Sequence, residues 1–492
     1  MECLVKLQRR PKFIDLIEKF QLSGAYPVFF AILCTVSGLA NKYVYLPIIF
    51  ILGLSILFSV LFVRDTKVFI TPIFMIYYAL GTDTLKAFMD SNGEVLAAFD
   101  TDGFVGICIL AAIIAIPVFL RFILDGSFAY AVKNRGITFW GIVVLNIAIF
   151  LGGAFSKHWS VINLAYALTL VAGLDVFYLI LSSIVRKADG NIIPYACKIL
   201  VLTCLMIAAQ AILLALQLHL DGMLIRVDQW TGRWILQREY LSRSWGISTI
   251  ICASCSVGIP AAMYMARNER FPLFYYVSAL IMWGVSILVN TRSAMIVGGV
   301  FLLAGIIIIS FSGKNKKCNL IFSATLLVLL ISGSILAYRE MTETLTLDEL
   351  FFNLYKFLRF DSVNDRITIF DVGLGDYLSA PIFGVGWDKG ALSQDLQANN
   401  FYSNMYHCIV IQMGASAGSI GLLALILHAK DYFRIAFKNP RTDRFLLLFI
   451  PASVLLMSLV DNFIFYLNLQ IFYVAFLCIA EKHLELTHNK QK

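Results

Sequence analysis

The side chains best suited to chemistry in this sequence are one histidine and four arginines, and all of them stand beside or between long apolar runs. His407 directly precedes an apolar run. An imidazole at that position suits proton transfer, and it would equally suit a helix end anchored at a membrane surface. Arginines that converge can hold a diphosphate, because each guanidinium binds phosphate through two parallel N–H groups. The four candidates for this role are Arg243, Arg292, Arg359 and Arg366.

Four more residues are predicted to bind the substrate on which these groups would act. Gly384 and Gly386 form a G-x-G pattern shortly after a proline, which is typical of a tight turn. Such a turn is either structural or a cradle whose backbone N–H groups approach a phosphate. Asn404 and Tyr406 stand just before His407, so the sequence places an amide and a phenol hydroxyl next to the imidazole.

These polar residues belong to a chain of strongly apolar composition. Of its 492 residues, 60% are hydrophobic and 14% are charged, whereas about a quarter of the residues of a soluble protein are charged. At about 20 residues per membrane crossing, the apolar runs supply about fourteen helices and leave too little for a large soluble domain. The predicted fold class is all-α: a polytopic integral membrane protein with about 12–14 transmembrane helices and one long, partly helical extracytoplasmic loop.

The basic residues orient these helices. The N-terminal segment 1–24 is rich in lysine and arginine, and segments of this kind stay in the cytoplasm. Its first apolar run is expected to be a retained helix rather than a cleaved signal peptide. Alternation then places the tail 481–492 in the cytoplasm as well. The net charge of +8 is therefore an orientation signal, and no nucleic-acid partner is expected.

The chain is predicted to be organised as alternating blocks of crossings and loops. The blocks are N-terminal crossings at 25–217, an extracytoplasmic loop at 218–243, crossings with the Arg292 turn at 244–337, a long extracytoplasmic loop at 338–406 and crossings at 407–480. The last three crossings are expected at 407–428, 445–461 and 463–480. A loop as long as 338–406 is usually functional. Its stretch 347–360 has the aromatic and leucine spacing of a helix lying in the membrane interface.

The candidate residues occur in an order and spacing that resembles the O-antigen ligase and polymerase family of bacterial membrane glycosyltransferases. His407, Gly418 and Gly421 resemble its H-N-x-x-L…G-x-x-G signature, with Cys408 where the family commonly has asparagine. Upstream, Arg366 together with the Gly384–Gly386 segment resembles R-x-x-x-W…P-L-x-G-x-G, with phenylalanine in place of tryptophan. The turn around Arg292 is similar to S-x-S-R-x, and Arg243-Ser244-Trp245-Gly246 is similar to R-x-x-G. The resemblance covers about residues 240–480.

The resemblance implies an enzyme that takes a glycan from undecaprenyl pyrophosphate at the outer face of the bacterial cytoplasmic (inner) membrane and joins it to an acceptor glycan or lipid. Arg292 and Arg366 would hold the pyrophosphate, assisted by Arg243 or Arg359. His407 would take the proton of the acceptor hydroxyl, with inversion at the anomeric carbon. No cofactor or metal is expected, because the arginines can stabilise the charge of the leaving group. The alternative is a divalent cation bound by aspartates, namely Asp361, Asp365, Asp371 and Asp376.

Three functions remain open at this point. The favoured one is polymerisation of the repeat units of a surface polysaccharide of the cell envelope, with a flippase and a chain-length regulator as partners. The second is a ligase that moves the finished polymer to another acceptor. The third, from another class, is a flippase for lipid-linked oligosaccharides; such transporters carry ionisable residues inside the membrane. Here only Lys198 and Asp175 fit that description, and they are expected to pair with each other.

Overall fold

The computed structural model describes most of the helical part of the chain. The described residues are 12–29, 51–59, 63–74, 88–89, 95–96, 119–188, 192–220, 225–227, 234–236, 248–289, 291–312, 316–325, 362–387, 406–438 and 441–489. Positions 52, 64, 125, 270 and 318 within these ranges are not described, and a few isolated residues outside them are. Arg243, Arg359 and Asn404 lie outside the described residues, and so does the stretch 347–360.

The described elements are almost all helices, which confirms the predicted fold class. They are α1 (Lys12–Leu22), α2 (Ser127–Lys133), α3 (Phe139–Ala154), α4 (Val161–Lys187), α5 (Ile192–Leu220), α6 (Ser248–Asn268), α7 (Leu273–Leu288), α8 (Arg292–Ser312), α9 (Ser362–Ser379), α10 (Ile409–Phe437), α11 (Thr442–Ser458) and α12 (Leu467–Asn489), with short 3-10 helices at Thr66–Phe69 and Phe463–Phe465. An apolar chain folds in this way in lipid because a helix satisfies its own backbone N–H and C=O groups.

Within the described residues, three helical spans are long and apolar enough to cross a membrane: Ile192–Leu213, Arg292–Ser312 and Ile409–Phe437. Shorter apolar helices occur at Phe139–Ala154, Val161–Val171 and Leu273–Leu288. Two small antiparallel hairpins interrupt this pattern, β1 (Phe88–Met89) with β2 (Val95–Leu96) and β3 (Ile225–Val227) with β4 (Trp234–Leu236). The second hairpin falls in the predicted extracytoplasmic loop 218–243.

Helix α6 is the centre of one helix group and packs against α5, α7, α8 and α11. Small residues permit this close packing: a Cβ at Gly258 would lie 2.7 Å from Cβ of Cys204 on α5. Ser256 links three helices, because its hydroxyl donates to the Ala294 carbonyl of α8 (3.0 Å) and its carbonyl accepts from the Ser453 hydroxyl of α11 (3.4 Å). These bonds join the beginning of α8 to the last turns of α11.

Helices α8 and α11 therefore run antiparallel. Phe301 and Phe449 stack with ring centroids 4.7 Å apart, and they stand equally far along the chain from Arg292 and from Ser458. At 1.5 Å of rise per residue, the first residue of α8 and the last residue of α11 thus lie at one level, at the same end of the bundle.

A second group consists of α3, α4, α10 and α12, and polar contacts fasten its end opposite His407. The buried carboxylate of Glu481 accepts hydrogen bonds from the Thr138 N–H (2.7 Å) and hydroxyl (2.6 Å) and from Arg186 (3.5 Å). The neighbouring Lys482 donates to carbonyls at the end of α4, including that of Val185 (2.8 Å). Cations suit this position because the last carbonyls of a helix lack partners.

Lys198, which is predicted to pair with Asp175, forms an ion pair with Glu269 just after α6, with 2.9 Å between Nζ and Oε1. The side chain of Asp175 lies outside the described residues. Glu269 lies seventy-one positions further along the chain, and only the packing of α5 against α6 brings it to Lys198.

Candidate active site

The imidazole of His407 is paired with a carboxylate from a different part of the chain. Its Nδ1 lies 2.8 Å from Oδ1 of Asp461, which stands in the turn after α11. The Asp461 side chain is 12% exposed and the His407 side chain 32%, so the imidazole stays accessible while the carboxylate is mostly covered. A carboxylate at Nδ1 orients the ring and stabilises the imidazolium, so proton exchange with a substrate would use Nε2.

The backbone of His407 is strained. Its φ is +52°, and among the described residues it is the one non-glycine with a positive φ. For a residue with a Cβ this left-handed conformation costs on the order of 1 kcal/mol, and such strain is often found at functional sites. Contacts on both sides hold it: the Tyr406 N–H donates to Oε1 of Gln412 (3.1 Å), and the imidazole contacts Asp461.

Arg366 reaches the same turn from a third direction. It lies in α9, which packs against α10, and its Nη1 donates to the carbonyl of Val460, the residue before Asp461. Arg366, the predicted cation, and His407, the predicted base, thus contact neighbouring residues of one turn, Val460 and Asp461. A guanidinium carries five N–H donors, so Arg366 can bind a ligand while it keeps the bond to Val460.

Arg292 begins α8 at the same end of the bundle. The antiparallel packing of α8 against α11 places the first turn of α8 level with Ser458, three residues before Asp461. Thr291, which precedes Arg292, is 5% exposed, and its buried hydroxyl has no hydrogen-bond partner in the described ranges of the chain. The fold therefore brings Arg292, Arg366 and His407 to one end of the molecule.

The two glycines after α9 form a turn that is docked on α10. Gly384 has φ +76°, and a Cβ there would lie 2.5 Å from the Ala415 carbonyl oxygen. The Gly384 N–H donates to the Ala380 carbonyl (2.9 Å), and the Val385 N–H donates to the Ala415 carbonyl (2.7 Å). Because these N–H groups are used inside the protein, the geometry favours the structural turn over the phosphate cradle for this segment.

Gly386, at φ +114°, faces the N-terminal half of the chain. A Cβ at Gly386 would lie 2.0 Å from Nδ2 of Asn163 at the start of α4. The Asn163 amide accepts the Trp387 N–H (2.5 Å) and donates to the Ser156 hydroxyl (2.7 Å). The Trp387 indole N–H donates to the Ile149 carbonyl of α3 (3.0 Å). The loop after α9 is thus fixed to both α3 and α4.

A break in α10 completes the docking of this loop. Gly418 has φ +65° and ψ −156° within the helix, and a Cβ there would lie 2.3 Å from the Ile382 carbonyl oxygen. The next residue, Ser419, donates its N–H (2.7 Å) and its hydroxyl (2.8 Å) to the Pro381 carbonyl. The crossing predicted at 407–428 is therefore a broken helix that extends to Phe437.

Tyr406, which the sequence predicts as a substrate contact, packs between α9 and α10. Its side chain is fully buried, and its hydroxyl donates to Oδ2 of Asp376 in α9. Burial and the Asp376 carboxylate raise the pKa of Tyr406 well above its usual value, so the phenol stays protonated. Tyr406 therefore ties the segment before His407 to α9.

Asp376 was also a candidate metal ligand, and here it accepts the Tyr406 hydroxyl. The part of the chain that the structure describes contains no group of three or more His, Cys, Asp or Glu residues that could hold a metal ion. Asp371 lies exposed on the same helix.

Sequence reasoning missed three residues of the site, namely Asp461, Gln412 and Asn163. Asp461 carried a usable signal: with Asn462 it interrupts two apolar runs at the level of the membrane, and an ionisable residue at such a place is a candidate functional group. Gln412 and Asn163 had no comparable signal, because their importance depends on which distant segments contact them.

Comparison with known proteins gives one match. Residues 277–426 match the family model described as O-antigen ligase. No curated protein matches the chain. The matched range contains Arg292, Arg366 and His407, whereas Asp461 lies beyond its end. The match confirms the resemblance drawn from the sequence: over residues 277–426 the chain is similar to the O-antigen ligase family, which supports a membrane glycosyltransferase of the O-antigen ligase and polymerase type.

Proposed function

We propose that the chain transfers a glycan from an undecaprenyl-pyrophosphate donor to an acceptor sugar at the extracytoplasmic face of the bacterial inner membrane, and that it polymerises the repeat units of a surface polysaccharide. The observation that carries this proposal is the His407–Asp461 pair with Arg366 bound to the adjacent Val460 carbonyl. A proton acceptor and a cation for an anionic leaving group thus share one turn.

In the proposed reaction the acceptor hydroxyl attacks the anomeric carbon of the donor glycan. His407 takes the hydroxyl proton at Nε2, and Asp461 stabilises the imidazolium that forms. A new bond forms from the acceptor oxygen to the anomeric carbon as the bond from that carbon to the pyrophosphate oxygen breaks. One direct displacement inverts the configuration of the anomeric carbon. The electron pair of the broken bond leaves on undecaprenyl pyrophosphate.

The arginines lower the barrier by binding the negative charge that develops on the leaving group. Arg366 is held next to the base, and Arg292 begins its helix at the same end of the bundle. Arg243 and Arg359 would assist, and Asn404 would bind glycan. Two or more guanidiniums can take the place of a metal ion at a pyrophosphate, so the proposed reaction is metal-independent.

The proposed setting is a multi-pass protein of the inner membrane with both termini in the cytoplasm. Its partners would be the lipid-linked donor, the acceptor glycan or lipid, the membrane lipids, and a flippase and a chain-length regulator that act before and during polymerisation. The apolar helices and the O-antigen ligase match support the membrane location.

The deciding experiment uses the full-length chain purified in nanodiscs. Its substrate is the undecaprenyl-pyrophosphate-linked oligosaccharide extracted from native-host cells that lack this chain. A ladder of products from that single substrate supports a polymerase, and the ladder should vanish with His407→Ala. Product that forms only after a second acceptor is added would indicate a ligase. In host cells, repeat units trapped on the cytoplasmic side in His407→Ala would indicate a flippase and contradict the proposal.

A further inference from the structure

One buried amide joins the two chain segments that carry the base and its carboxylate. Gln412 lies in the first turn of α10 and is 2% exposed. Its Oε1 accepts two hydrogen bonds, from the Tyr406 N–H (3.1 Å) and from Nδ2 of Asn462 (3.0 Å). Its Nε2 donates to the hydroxyl of Ser416 (2.7 Å). All three polar contacts are therefore made inside the protein, away from solvent and ligand.

The two donors stand directly beside the reactive residues. Tyr406 precedes His407, and Asn462 follows Asp461. Both lone pairs of one oxygen are thus used to hold the segment before α10 against the turn after α11. The spacing of these segments determines whether Nδ1 of His407 meets Oδ1 of Asp461 at 2.8 Å.

The Asn462 side chain depends on this bond. Within the part of the chain that the structure describes, its Oδ1 is buried without a partner, so the contact from Nδ2 to Gln412 is the one hydrogen bond of its side-chain amide. A buried amide that loses its last partner is unfavourable, and the turn would shift to restore a hydrogen bond. Asp461 would move with it, because it is the adjacent residue.

We propose that Gln412 is a positioning residue for the transfer reaction: it sets the geometry of the His407–Asp461 pair without contacting substrate. The inference rests on the proposed function of that pair. It predicts that removal of the amide slows the chemical step more than it weakens donor binding, because Arg292 begins a different helix and only Arg366 of these two arginines contacts the turn that would shift. A displacement of about 1 Å at a catalytic group can cost about 100-fold in rate.

The test measures kcat and KM for the extracted lipid-linked oligosaccharide with the full-length chain in nanodiscs. Gln412→Leu has a similar volume and no polar atoms, and it should lower kcat by roughly 10–100-fold with KM changed by less than about 3-fold. Gln412→Glu should recover most of the lost rate, because a protonated buried carboxyl accepts both N–H groups and donates to Ser416. The matched control is Gln470→Leu: Gln470 is also fully buried, its amide has no partner among the described residues, and its loss should leave kcat unchanged.

A double variant separates positioning from general loss of structure. If Gln412 acts through the pair, Gln412→Leu combined with Asp461→Asn should be little slower than Asp461→Asn alone. Losses that multiply would overturn the inference, and so would an unchanged kcat in Gln412→Leu while His407→Ala is inactive. Full activity of His407→Ala would instead overturn the proposed function. Should Gln412→Leu fail to fold, Asn462→Ala tests the same bond and should lower kcat by roughly 3–10-fold, again without adding to Asp461→Asn.

Discussion

Nδ1 of His407 lies 2.8 Å from Oδ1 of Asp461, although all of α10 and α11 stand between the two residues in the chain. The two helices run in opposite directions along the bundle, so the beginning of one and the end of the other meet. The pairing therefore depends on the packing of the C-terminal helices and on the contacts of Gln412. It gives the proposed base a fixed orientation before any substrate is bound.

The first prediction concerns the carboxylate. Asp461→Asn keeps the shape of the side chain and removes its charge, so the imidazolium loses its stabilising partner. We expect kcat to fall by about 10²–10⁴-fold, as when the carboxylate of a catalytic His–Asp pair is replaced by an amide. The measurement is the initial rate of product formation. The control is Asp443→Asn at the other end of α11, which breaks a pair with Arg267 and should leave the rate within about 2-fold.

The second prediction concerns the cation. Arg366→Lys keeps a positive charge and loses the planar set of donors, so donor pyrophosphate should bind less well and KM should rise by roughly 10-fold. The rate should become more sensitive to salt as well, since one point charge is more easily screened. Arg434→Lys is the matched control, because Arg434 is exposed near the C-terminal end of α10, away from His407. Equal KM values for both variants would contradict a role of Arg366 at the pyrophosphate.

The third prediction concerns the broken helix. Gly418→Ala places a Cβ 2.3 Å from the Ile382 carbonyl oxygen at a φ of +65°, which combines a clash with backbone strain. The strain alone costs about 1–2 kcal/mol, so thermal unfolding in detergent should begin at a clearly lower temperature. Gly375→Ala in α9 is the control, since no atom lies within 4 Å of its added Cβ and alanine favours a helix. Its unfolding temperature should be equal or higher.

The fourth prediction concerns metal ions. If the arginines stabilise the leaving group, the purified chain should keep its rate after dialysis against EDTA. Recovery of a lost rate by Mg²⁺ would instead support a divalent cation at the pyrophosphate. Asp371→Asn then distinguishes the source of the ligands, because Asp371 is an exposed carboxylate of α9 and should matter only if a cation binds there.

The sequence was sufficient for the fold class and for the order of the candidate residues, because apolar length and charge bias are local properties. The block of crossings predicted at 244–337 contains α6, α7 and α8. The helix Ser362–Ser379 was not predicted, since its aspartates and glycines disfavour a helix and its packing on α10 supplies the compensating stability.

The partners of the site could not be predicted in the same way. Asp461 and Gln412 act on His407 through contacts between segments that are far apart in the chain, and no spacing rule relates them. The tight turn at Gly384 was predicted correctly as a turn, but its docking against Ala415 depends on the break at Gly418. Local chemistry was thus visible in the sequence, and the arrangement that supports it was not.

The contacts of Asn163 with Trp387 and of Asp461 with His407 have a consequence for how such chains evolve. The segment that matches the family, residues 277–426, is contacted by the Asn163 amide, which precedes it in the chain, and by the Asp461 carboxylate, which follows it. Recombination that exchanged this segment alone would separate it from both partners. Functional exchange between related genes should therefore involve at least residues 163–461, so that crossover points inside that span are rare in natural mosaics.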